Sequence, residues 1–187
     1  MDKYRRRFAA TQLGGRPGRV IVAVIICLIA AFYFVPGAAS APWPFFRATT
    51  LMGKSIGSDR LIGQPTLLII TPSRDAAEAT REWVKALREK IDQDKYYVRD
   101  VLAVDLPFFM TEEDAITRAK EAVPKRYHDQ TWILDSPVLE DALGVPRDSG
   151  EACIVVLDHE GKVVARVHGP LSEHRLNTIV DALKSLK

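Results

Sequence analysis

Residues 66–70, Thr66-Leu67-Leu68-Ile69-Ile70, constrain this chain more than any other stretch: four consecutive apolar positions, ended by Thr71-Pro72. Successive side chains of a strand point to opposite faces, so unbroken apolarity predicts a central strand covered on both sides. The segments that follow supply the cover. Residues 74–91 carry Ala76, Thr80, Trp83, Val84, Leu87 and Ile91 on one helical stripe. Residues 98–104 (VRDVLAV) read as a second strand. Thr111 before Glu112-Glu113-Asp114 reads as a capped helix start, with Ala115, Ile116, Ala119 and Val123 facing inward until Pro124 stops the helix.

Trp132-Ile133-Leu134 is a short strand, and Ser136-Pro137 supplies an N-cap and a first-turn proline for a short helix ending at Gly144. Residues 153–157 and 162–167 are two strands joined by the hairpin turn Asp158-His159-Glu160-Gly161. Ser172 caps a last helix with Leu176, Ile179, Val180, Leu183 and Leu186 on its inner face, Glu173 and Lys184 suiting its dipole. Residues 49–65 read as a polar connector, and the chain has no internal repeat. A parallel βαβ unit followed by an antiparallel hairpin and a covering helix predicts an α/β fold, a mixed sheet flanked by helices.

That order of elements resembles the thioredoxin fold, over residues 61–187. The most telling stretch runs Cys153-Ile154-Val155-Val156-Leu157-Asp158-His159-Glu160-Gly161-Lys162-Val163-Val164, followed by Gly169 and the last helix. It resembles the ending of periplasmic thioredoxin-like proteins. More narrowly, the segment from Trp132 through Leu134-Asp135-Ser136 to Glu151-Ala152 and the hairpin is similar to the YtfJ-like family of periplasmic thioredoxin-fold proteins. Membership implies a fold and an envelope location rather than a reaction.

The N-terminus points the same way. Every residue from Val20 to Val35 is apolar, and residues 1–19 hold Lys3, Arg5, Arg6, Arg7, Arg16 and Arg19 against Asp2 alone. Those 19 residues carry +5 of a net +2, so the remainder carries −3 and gives no footprint for nucleic acid. Sixteen residues at helical rise span about 24 Å, and residues 36–39 extend this toward a ~30 Å bilayer core. With the basic flank kept inside, the expected organisation is a cytoplasmic segment 1–19, a transmembrane anchor 20–39, a linker 40–60 and a periplasmic thioredoxin-like domain 61–187. The protein would then be single-pass in the inner membrane. The alternative is a cleaved signal peptide and release into the periplasm, since Gly37-Ala38-Ala39-Ser40-Ala41 offers a small-residue site. The long apolar run, Pro42 after that site and the aromatic Trp43-Pro44-Phe45-Phe46 favour the anchor.

The resemblance also says where redox chemistry would sit: a Cys-x-x-Cys or lone cysteine where the first strand meets its helix, faced by a proline before the hairpin. Here the junction is Thr71-Pro72-Ser73-Arg74-Asp75-Ala76-Ala77-Glu78, without cysteine, and Ala152 holds the proline's place. Asp75 and Glu78 fall where the two cysteines would be, and read as first-turn residues complementing the helix dipole. The two cysteines are Cys27, inside the apolar run, and Cys153, at the start of an apolar strand and expected to behave as a small buried hydrophobe. His128, His159, His168 and His174 read as solvated surface residues without metal-ligand spacing, although Gly169-Pro170 would allow His168 and His174 to approach one another. There is no phosphate-binding glycine loop and no GxSxG elbow. No metal or cofactor is expected, and Trp83, Trp132 and Tyr96-Tyr97 read as packing residues.

The expected function is a membrane-tethered, redox-inactive thioredoxin-like module that binds another envelope or inner-membrane protein. Its contact surface would be Pro72, Ser73, Arg74 and Asp75 with Gly150, Glu151 and Ala152, since these junctions meet in the fold. The alternative is a one-cysteine thiol or peroxide oxidoreductase acting through Cys153. A third reading is an envelope protein that binds a ligand through Asp75, Glu78 or the histidines.

Overall fold

The computed structural model describes residues 45–104, 111–146 and 148–186. The basic segment, the 20–39 run and Cys27 lie outside these residues; among those described, no helix is long and apolar enough to cross a membrane. Along the chain come strands β1 (Arg47–Thr50), β2 (Ser55–Gly57) and β3 (Thr66–Thr71), helix α1 (Ala77–Lys90) and strand β4 (Tyr97–Val104). Helix α2 (Glu112–Ala122), β5 (Thr131–Asp135), α3 (Ser136–Leu143), β6 (Cys153–Leu157), β7 (Val163–His168) and α4 (Glu173–Ser185) follow. The strands form one mixed sheet in the order β2-β1-β5-β4-β3-β6-β7. The neighbours β3, β4 and β5 run parallel; β6 is antiparallel to β3 and β7 to β6.

The continuous apolarity of β3 is used on both faces. Leu68 and Ile70 join Val101, Trp132, Leu139, Leu143 and Val155 beneath α3. Leu67 and Ile69 join Trp83, Leu87, Ile154, Ile179 and Leu183 beneath α1 and α4. All four β3 side chains are at most 1% exposed, and burial of each stabilises the fold by roughly 1.5–3 kcal/mol relative to exposure. Alternation along β4 puts Leu102 on the same face as Val98, and Leu102 packs with Ile133 and with Ile116 of α2. Helices α1, α2 and α4 therefore share one face of the sheet and α3 covers the other. Thr111 and Asp114 form a reciprocal capping box on α2, and the Ser172 side chain accepts from the Arg175 N–H to cap α4.

Three local readings change. Residues 47–57, expected as connector, form the β1–β2 hairpin, which adds to the sheet through β1 and β5. Phe46, Ala48 and Thr50 alternate inward there, and Gly53 takes the positive φ (78°) of the turn. Helix α1 starts at Ala77 rather than residue 74, because the N–H groups of Ala76 and Ala77 return to the carbonyls of Ser73 and Arg74 in a tight turn. Asp75 consequently lies on the turn before the helix, and only Glu78 is in its first turn. His128 is not solvated: it is 7% exposed, and its Nε2 donates to the Val123 carbonyl at 2.8 Å, satisfying a group left over at the end of α2.

Candidate functional site

At the carboxyl end of β3 the chain turns through Pro72, Ser73, Arg74 and Asp75, and the approach to β6 runs through Ser149, Gly150, Glu151 and Ala152. These two junctions meet. Ser73 Oγ donates to the Ser149 carbonyl at 2.8 Å, and a Cβ built on Gly150 would lie 3.9 Å from Asp75 Cβ. Pro72 and Ala152 are buried beneath the contact, whereas Arg74, Asp75, Gly150 and Glu151 are exposed around it. The Ala152 carbonyl accepts the Gly169 N–H at 3.0 Å, tying the same corner to the end of β7.

His168 belongs to this corner too, with Ser149; the expected contact surface holds neither, and His168 enters only with the other histidines in the third reading. Ser149 Oγ lies 2.8 Å from His168 Nε2, and His168 Nδ1 is 3.5 Å from Glu151 Oε2. The signal was present in the hairpin register: Cys153 pairs with His168, so the last residue of β7 must stand beside the first residues of β6. Hydroxyl, imidazole and carboxylate have the composition of a nucleophilic triad. The geometry here is that of a strut. Ser149 Oγ accepts the Glu151 N–H at 3.2 Å within its own turn, and the imidazole–carboxylate contact is long. The chain Ser73–Ser149–His168–Glu151 fixes the rim and leaves the Arg74, Asp75 and Glu151 side chains presented to a partner.

Cys153 sits below this rim. It is fully buried, lies opposite Ile70 in β3 and His168 in β7, and belongs to the cluster beneath α3. Burial pushes its thiol up to about 11, with the Arg166 guanidinium opposing only part of the effect. Thiol exchange and peroxide reduction proceed through the thiolate, which this environment disfavours and shields.

His168 makes its contacts with Ser149 and Glu151, and His174 is exposed in the first turn of α4. His159 is exposed in the β6–β7 turn. Among the described residues, no group of three or more His, Cys, Asp or Glu side chains is arranged to hold a metal ion. Trp83 and Trp132 are fully buried packing residues, the latter edge-on to Tyr97 with ring centroids 6.4 Å apart.

No family model matches the sequence, and no curated protein does. Solved structures do match the fold. The pneumococcal exposed lipoprotein thioredoxin Etrx1 of Streptococcus pneumoniae is 17% identical, with a TM-score of 0.56 over 76% of this chain and all of that one. A thiol:disulfide interchange protein of the thioredoxin family from Chlorobium tepidum is 16% identical, with a TM-score of 0.55 over 80% of this chain and 97% of that one. BsSco, a member of the Sco family of cytochrome c oxidase assembly proteins, is 14% identical, with a TM-score of 0.57 over 79% of this chain and 94% of that one. At these identities the likeness is one of architecture, and with the strand order above it establishes that this chain has a mixed α/β, thioredoxin-like fold.

Proposed function

We infer that this protein is a redox-inactive thioredoxin-like module, tethered to the inner membrane by residues 20–39 with its domain in the periplasm, that binds another envelope protein. The observation that carries this reading is the junction itself. Where the β3–α1 turn meets the approach to β6 there is a hydroxyl-to-carbonyl bond from Ser73 to Ser149 and no thiol, and the nearby Cys153 is fully buried. A fold does not carry a reaction with it, and a rigid corner with charged rims is a usable protein-binding surface. The basic flank before an apolar run supports the tether, which would raise the effective concentration of the module at a membrane partner. Similarity of residues 132–164 to the YtfJ-like family supports the periplasmic placement.

The test is recovery of the full-length protein from membranes in mild detergent after reversible crosslinking. A stoichiometric envelope partner should co-purify, and recovery should fall tenfold or more in Arg74→Glu combined with Glu151→Arg. It should be unchanged in Cys153→Ser. A partner held only by a reducible bond to Cys153, or recovery indifferent to the rim charges, would overturn the reading in favour of one-cysteine redox chemistry or a different surface.

A further inference from the structure

A sizeable cavity lies away from the junction rim, on the sheet face that α1 and α2 share. It is a cleft of about 640 Å3 between those two helices, floored by β4, within the size range of small-molecule sites. Its apolar walls are Ala77 and Val84 from α1, Leu102 from β4, and Ala119 and Val123 at α2, with Ala77 and Leu102 toward the carboxyl end of the strands.

The opposite end has different chemistry. The inward face of β4 reads Val98, Asp100, Leu102, Val104, so one carboxylate interrupts an otherwise apolar row. Asp100 Oδ2 accepts from Arg88 Nη2 at 3.0 Å, with the two side chains only 16% and 15% exposed. The Arg88 guanidinium lies over the Tyr127 ring, 3.7 Å from its centroid, and the Arg126 guanidinium is 4.9 Å from the same centroid. Lys85 lines the cleft one helical turn before Arg88. Among the described residues, neither Arg88 Nε nor Asp100 Oδ1 has a hydrogen-bond partner, so this buried pair is incompletely satisfied by the protein alone.

Charge and shape together select an occupant. Four cations line the cleft, Arg81, Lys85, Arg88 and Arg126, against the carboxylates Glu89 and Asp100. Arg81 is paired with Glu78 outside, which leaves Lys85 and Arg126 flanking a guanidinium held flat by an aromatic ring. A neutral apolar ligand would leave the buried Arg88 Nε without a partner and gain nothing from Lys85 and Arg126, and an organic cation would be repelled. A polyanion such as a nucleotide would lose most of its hydration against the apolar walls. We propose that the α1–α2 cleft binds a small amphipathic monoanion of the medium-chain carboxylate class. Its carboxylate lies at Lys85, Arg88 and Arg126, and its chain runs toward Ala77, Leu102 and Ala119.

The test uses the full-length protein in lipid nanodiscs and decanoic acid bearing a terminal diazirine, photocrosslinked and mapped by peptide mass spectrometry. Saturable labelling is expected on the peptides containing Val84 and Ala119, displaced at least tenfold better by decanoate than by decanol. Lys85→Glu with Arg126→Glu should reduce it tenfold or more, as should Ala122→Trp, which places a large ring at an exposed edge of the cleft. Unchanged melting temperatures of these variants would exclude unfolding as the cause. Labelling that does not saturate, that decanol displaces as well as decanoate does, or that survives both variants would overturn the proposal.

Discussion

Trp83→Ala should lower the stability of the domain by about 3–5 kcal/mol, the range for truncating a fully buried tryptophan. That is about a fifth or more of the ~5–15 kcal/mol that a domain usually has. Trp83 has no exposed surface and packs with Leu67, Leu87, Val98 and Ile179, so it joins α1 to the sheet and to α4. Its indole N–H also donates to the Gly169 carbonyl at 3.0 Å, fastening α1 to the turn between β7 and α4. The two contributions separate in Trp83→Phe, which keeps most of the apolar volume but leaves that buried carbonyl unpaired. About 1–3 kcal/mol of loss is expected there. Urea titration followed by circular dichroism measures both. A loss below about 1 kcal/mol in the alanine variant would mean that α1 is not held to the sheet by this contact.

The second large effect concerns Arg88. Replacing it by methionine removes the partner of a carboxylate that is itself largely buried, and breaking such a pair from one side costs about 3–5 kcal/mol. Nearby Arg99 offers Asp100 some residual compensation, which favours the lower end. The pH dependence has a definite sign. Burial raises the Asp100 carboxyl above the usual aspartate range, and Arg88 and Arg99 oppose the rise. Removing Arg88 raises it further, so the folded variant holds a proton that the unfolded chain releases. The contribution of that protonated acid is complete below the unfolded aspartate pKa, near 3.9, and is lost as pH rises through the folded value. The variant should therefore be most compromised at neutral pH and recover toward wild-type stability as pH falls. Arg88→Met with Asp100→Leu should regain most of the loss at pH 7, because the carboxylate left without its partner is then gone. A deficit equal at pH 4 and pH 7, or a double variant no better than the single one, would show that Arg88 acts through packing alone.

What the sequence reveals here follows from how local each signal is. The continuous apolar runs of β3 and β6 and the turn between β6 and β7 are short-range patterns, and the structure uses the runs as strands within a residue or two of the expected ends. The caps at Thr111 and Ser172 and the stop at Gly144, with its positive φ of 59°, are equally local. The β1–β2 hairpin is not: its strands span only four and three residues and gain stability by pairing with β5, eighty residues away. His128 looks like any loop histidine until the end of α2 places the Val123 carbonyl beside it. At the candidate site the meeting of the two junctions follows from strand order, whereas the Ser149–His168 contact needed the β6–β7 register. The cleft was out of reach, since VRDVLAV announces a strand without saying that Asp100 faces Arg88 or that α1 and α2 stand apart above it.

The central claim is that this domain works through its surface and not through a thiol. Alkylation of Cys153 by iodoacetamide in the full-length protein tests it most directly, with Cys27→Ser removing the other cysteine. With the thiol raised to about 11 and fully buried, the native protein at pH 8 should react at least a hundredfold more slowly than the same chain in guanidinium chloride. The rate should climb only as pH approaches that value. Fast, saturating modification of the folded protein at pH 7–8 would contradict the account and make Cys153 a working thiolate.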